Sequence, residues 1–166
     1  MKSGNITLDQ RYFWVDAWAF ERNLSEAEEI RQLASTEKDL QKAADLTQKA
    51  LNLYKGPLFQ TDDDWALALR DHLHHRFIQA VHSRGKYLQN KNQWEEAIRL
   101  YETGLKIDEL LESFYRGLMV CNHYLGRNAR ALAAYKRCQR VFSDRLAIPP
   151  SAETESLKEL LLDPTD

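Results

Sequence analysis

A chain of 166 residues with 43% hydrophobic and 29% charged side chains, and only six glycines and four prolines, has the composition of an ordinary helical domain long enough to bury most of its apolar groups. Its formal net charge of −2 argues against nucleic-acid binding by the segment as a whole, because such affinity comes mainly from neutralised phosphates. No apolar run approaches the ~20 residues that span a bilayer, and the first residues lack a basic-then-apolar leader, so a cytoplasmic address with no membrane partner is expected.

Residues 5–15 differ from the rest. Ile6 and Leu8 alternate with polar residues, residues 9–11 can turn, and residues 12–15 are aromatic and β-branched, which predicts a short β hairpin. A hairpin standing alone is marginal, so residues 1–15 are expected to be the junction left from a preceding domain, or to pack through Trp14 and Trp18. From Asp16, which can cap, the spacing of Ala17, Phe20, Leu24, Ala27 and Ile30 predicts a helix to about residue 34. A second helix starts at Thr36, whose hydroxyl can accept from the Asp39 amide while that carboxylate reaches back. Leu40, Ala43, Ala44, Leu46, Ala50, Leu51 and Tyr54 form its apolar face, and Gly56 with Pro57 ends it.

An irregular link over residues 56–63 leads into Asp62, Asp63 and Asp64. No acidic or amide ligands follow at the alternating spacing of a calcium loop, so these carboxylates read as charges at the positive end of the next helix. That helix, over about residues 65–90, turns Leu69, Leu73, Phe77, Val81 and Leu88 inward and carries Arg70, Arg76, Arg84 and Lys86 on its other faces. It also carries His72, His74, His75 and His82. His72 and His75 form a workable i, i+3 metal pair, but Asp71 is the one acid in this stretch and zinc needs three or four ligands, so the simpler reading is a solvated basic face without metal. A sharper reading is a strip that faces an anion or a partner and strengthens as the imidazoles protonate.

From about residue 77 to 146 one helical hairpin is written twice at a spacing of 34 residues. Ala97, Tyr101 and Gly104 are answered by Ala131, Tyr135 and Cys138, Ile98 falls over Leu132, and Leu88 falls over Asn122. Small residues seven apart leave room for a neighbouring helix, and the tyrosines fill the gap between them. This is the tetratricopeptide pattern, whose hairpins stack around a concave binding surface. Ala43, Thr47 and Ala50 keep the same spacing, so the first two helices read as a degenerate third hairpin. The last hairpin covers residues 114–125 and 128–146 around Gly126. After Pro149 and Pro150, Ser151 is expected to cap a final helix over residues 152–162 that covers the open end of the stack. Trp65 and Trp94 read as packing anchors, and Cys121 and Cys138 as buried thiols.

In the repeat frame, Gln79, His82, Lys86, Gln89 and Asn90 fall on the inner surface of one hairpin. Ser113, Arg116, Val120, His123 and Tyr124 do so in the next. The set is polar with a positive lean, as suits a groove for an acidic peptide or a small anion; the plainer reading is solvated side chains, or cover by a neighbouring domain. No H-E-x-x-H, C-x-x-C or G-x-S-x-G string is present, so neither an enzyme nor a cofactor is expected.

Six strings occur in order: VDAWAFE from Val15, LYKGPLF from Leu53, WALALRDHL from Trp65, FYRGLM from Phe114, LGRNARALAAYKRC from Leu125 and LAIPPSAET from Leu146. Together they resemble the bacterial transcriptional activator domain, a tetratricopeptide-like module of activators of the antibiotic-regulatory-protein type. The resemblance implies a regulatory role without catalysis, beside a winged-helix domain that residues 1–15 do not contain. It supports no nucleotide site here, because no G-x-x-x-x-G-K-[ST] string occurs. Glu109 and Ser143 stand where the repeat often has proline. The expected molecule is therefore an all-α, tetratricopeptide-like stack of about seven helices with a short N-terminal β hairpin, residues 16–166 forming the module. It would bind a protein partner or a neighbouring domain of its own chain, and meet DNA only through a domain outside this segment. Self-association stays open. The alternative is a free-standing tetratricopeptide scaffold for a partner's peptide, unrelated to transcription.

Overall fold

Apolar residues at helical spacing form the buried faces of the first six helices among the described residues. The computed structural model describes residues 16–56 and 64–162. Among these residues there are seven α-helices and no strand: α1 (Asp16–Leu33), α2 (Glu37–Leu53), α3 (Asp64–Asn90), α4 (Trp94–Ile107), α5 (Glu112–Tyr124), α6 (Asn128–Leu146) and α7 (Ala152–Leu162). The expected β hairpin, Asp62 and Asp63 lie outside the described residues. The described residues divide into two compact units, with the boundary between Ala80 and Val81, inside α3.

In the first unit α1 and α2 lie together, with Ala19, Phe20, Leu24 and Ala27 of α1 and Ala43, Ala44, Ala50 and Leu51 of α2 buried. The capping box of α2 is present as read: the Thr36 hydroxyl accepts from the Asp39 amide at 3.2 Å, and the Asp39 carboxylate accepts from the Thr36 amide at 3.0 Å. Two readings of the α2 face need correction. Leu40 is 37% exposed, at the rim of the core. Tyr54 is buried but stands just past the helix in extended backbone, so its ring reaches sideways to Phe20 at 5.5 Å and stacks on Phe77 of α3 at 4.5 Å. Arg76 of α3 meets Glu21 at 3.5 Å and Glu28 at 3.3 Å on α1.

The second unit is built around α5, whose Phe114, Tyr115, Gly117, Leu118, Met119, Cys121 and Asn122 are buried. Its helices turn twice in the same way. Asn92 (φ 56°) ends α3 with the Gln93 amide donating to the Leu88 carbonyl, and Gly126 (φ 69°) ends α5 with the Arg127 amide donating to the Asn122 carbonyl. These residues correspond at 34-residue spacing, so the sequence repeat is also a repeat of the left-handed helix stop. Ala97, Ala131 and Cys138 are fully buried, and Tyr101 fills the space opened by Gly85 of α3 and Gly117 of α5. Phe114 lies against Gly104 in the same manner. Both cysteines are buried free thiols.

The last helix packs on α5 and α6. Thr154 is fully buried, and the Tyr135 hydroxyl donates to the Glu155 carboxylate at 2.7 Å. Ser151 stands at the start of α7, its carbonyl accepting from the Thr154 and Glu155 amides. Its hydroxyl does not stay local: it donates to the Glu112 carboxylate of α5 at 2.8 Å, as the Ser151 amide does at 2.7 Å.

Candidate functional site

The repeat frame places nine of the expected groove residues on α3 and α5 of the second unit, where three, His82, Ser113 and Arg116, come together. His82 Nε2 lies 3.0 Å from the Ser113 hydroxyl, and its ring meets Phe114 edge-on at 5.2 Å. Partial desolvation of this otherwise exposed ring, and then the nearby Arg116 guanidinium, hold the His82 imidazole below its usual value. His82 is thus a neutral hydrogen-bonding group at neutral pH.

Arg116 faces α7 through its polar atoms. It donates to the Thr154 hydroxyl at 3.1 Å and pairs with Glu153 at 2.9 Å, with Glu112 at 3.9 Å behind. Burial alone would raise the Glu112 carboxyl, but hydrogen bonds from Thr154 and Ser151, with Arg116 beside them, outweigh it and hold the group below the usual carboxylate range. Sequence periodicity gives no sign of this Glu112–Arg116–Thr154–Ser151 clamp, because α7 is not part of the repeat.

Gln89 is partly buried beneath the face and donates to the Tyr101 hydroxyl at 3.3 Å and to Cys121 Sγ at 3.5 Å. Lys86 and Asn90 are exposed. At the far end of α5, Tyr124 is 64% exposed and stacks on Trp94 at 4.5 Å with nearly parallel rings, while His123 meets Tyr124 edge-on at 5.9 Å. Trp94 is therefore a packing anchor that also fixes an exposed aromatic platform. Gln79 belongs to the first unit, where its amide lies 2.9 Å from His75.

The histidine cluster of the first unit does not converge. His72 lies 3.2 Å from Glu21, His74 lies 3.3 Å from the Tyr54 hydroxyl, and His75 meets Gln79. The acids that balance this basic stretch come from α1, beyond the reach of a reading along α3 alone. Among the described residues no three His, Cys, Asp or Glu side chains gather as metal ligands. The buried Cys121 and Cys138 thiols are both raised, Cys138 to about 12, first by burial.

With the helices and the α3/α5 face in place, comparison with known families is decisive. The model of the bacterial transcriptional activator domain matches residues 15–162. The chain belongs to this family. A comparison with curated proteins finds no match. Family membership makes this activator domain a module of transcription regulation. No helix among its described residues is long and apolar enough to cross a membrane.

Proposed function

We propose that this activator domain is a non-catalytic, tetratricopeptide-like interaction module of a bacterial transcriptional activator, acting beside a DNA-binding domain outside the segment. The observation that carries this reading is the family match over residues 15–162. Its working surface is the α3/α5 face, with His82, Lys86, Asn90, Ser113, His123 and Tyr124 toward a partner protein or a neighbouring domain of the same chain. Gln89 and Arg116 support that face from beneath and from the α7 side. The lone exposed charge of Lys86 and the Trp94-backed ring of Tyr124 suit an acidic, partly apolar segment, because aromatic anchors and charge complementarity set such interfaces. Engagement there biases the DNA-bound or oligomeric state of the parent protein.

The test pairs Lys86→Glu with Tyr124→Ser in the full-length protein. Light scattering with and without DNA from its own upstream region measures assembly, and a reporter measures transcription. The expected outcome is about a tenfold loss of reporter output with DNA binding retained, as for removal of an interface anchor. Unchanged output overturns the assigned face. A full-length protein that ignores DNA overturns the activator reading in favour of a free-standing peptide scaffold.

A further inference from the structure

On the side formed by α4 and α6, charge bridges the two helices at regular intervals. Glu95 pairs with Arg127 at 2.6 Å, Glu102 with Arg137 at 2.8 Å, and Glu109, just past α4, with Arg145 at 2.8 Å. The glutamates recur every seven residues, close to two helical turns, and so project from one side of the chain. Between the first two of these rungs lies a cleft of about 280 Å³. Ile98, Leu118, Ala133 and Ala134 give it an apolar lining, with Leu118 contributed by α5.

The charges around the cleft do not cancel. Arg127 and Arg137 are each met by a glutamate, and Arg137 is further fixed 5.5 Å over the Tyr115 ring. Arg130 also lines the cleft and is exposed, and its guanidinium has no acceptor among the described residues. A guanidinium is a rigid fork of donors that matches a carboxylate in two parallel hydrogen bonds. An apolar cleft ending on one such uncompensated fork suits an acid with a compact hydrocarbon body.

Size selects a small molecule over a peptide. Successive rungs stand about 10 Å apart along α4, at 1.5 Å per residue, which leaves no room for a helix to lie between them. The volume is at the lower edge of ordinary ligand pockets, about 300–1,000 Å³. We propose that the α4/α6 cleft is a binding site for a small monocarboxylic acid with an aromatic or branched aliphatic body, its carboxylate on Arg130 and its body on Ile98, Leu118 and Ala134. A ligand there touches both hairpins of the second unit and favours the spacing at which it fits, so it gives a small acid a route to act on the module.

The probe is phenylacetate, titrated into the isotopically labelled 166-residue chain while backbone amide shifts are followed. Saturable shifts are expected at residues 98–102, 118–122 and 130–137. Phenylacetamide, which keeps the shape and loses the charge, is expected to bind about tenfold more weakly, as is phenylacetate to Arg130→Gln. Both Arg130 and Ala133 are exposed on α6, so neither Arg130→Gln nor Ala133→Trp threatens the core, and Ala133→Trp is expected to block the cleft. Equal binding of the amide and the acid overturns the proposal. So do shifts confined to the α3/α5 face, or the absence of saturable shifts at about 10 mM ligand.

Discussion

A Cβ on Gly117 would stand 2.5 Å from the ring of Tyr101, and a Cβ on Gly85 would meet the same side chain from α3. Both glycines sit inside helices, where glycine costs about 0.5–1 kcal/mol relative to alanine. Gly117→Ala would therefore stabilise an isolated helix. Here it forces the Tyr101 ring out of a filled space, at about 1–3 kcal/mol for overpacking, so the net effect is a loss of about 1–2 kcal/mol in denaturant unfolding. Adding Tyr101→Leu removes the collision, and the double variant is expected to be more stable than the sum of the two single losses predicts.

The seat of α7 rests on Glu112, whose carboxylate accepts from both the amide and the hydroxyl of Ser151. Glu112→Gln is expected to cost about 1.5–3 kcal/mol at neutral pH, the range for hydrogen bonds to a charged group. Because the folded carboxyl lies below its ordinary value of 4.5, its contribution is fully present above that pH and is lost as the pH falls through the folded value. The stability gap between wild type and Glu112→Gln should therefore close below pH 4.5 in urea titrations. A gap that stays constant to lower pH would show that the carboxylate's charge plays no part.

Much of this fold was legible because it repeats. The 34-residue spacing predicted both hairpins of the second unit, and the Thr36–Asp39 pair predicted the start of α2. Asn92 is not legible as a helix stop because asparagine does there what glycine does at Gly126, and only the backbone shows both at positive φ. Tyr54 keeps the helical period of α2 but stands outside the helix, since periodicity cannot see a side chain that turns back across the end of its element. The site was less legible. The inner face can be counted out from the repeat, but the partners that take up Arg116 come from α7, and the acids that meet His72 and Arg76 come from α1. Contacts between non-equivalent elements leave no periodic trace.

The two cysteines sharpen the distinction between a packing thiol and a reactive one. Cys138 is fully buried, and burial pushes its thiol up to about 12, so almost no thiolate exists at neutral pH. Cys121 is also buried and raised, with Gln89 donating to its sulfur. A thiol-specific reagent is expected to modify neither residue in the native chain at about pH 8 and both after unfolding. Rapid native labelling of either would mean that the helix carrying it opens far more often than the packing around Tyr101 and Phe114 allows.

His82 provides the converse test on the proposed partner face. Its folded value lies below the ordinary 6.5, through partial desolvation first and the Arg116 charge second, while Ser113 and Phe114 offer its ring no counter-charge. Between these two values the unfolded chain binds more protons than the folded one. The stability that depends on neutral His82 is thus fully present above 6.5 and falls as the pH drops toward the folded value. His82→Gln keeps an amide for Ser113 and does not titrate, so wild type should lose stability relative to this variant as the pH falls below the ordinary imidazole value of 6.5, read from urea midpoints. Parallel curves would place the imidazole in water. An acidic partner on the α3/α5 face would supply the missing counter-charge, raise the imidazole's affinity for its proton and reverse the sign, so the bound chain should hold its stability over the interval in which the free chain loses it.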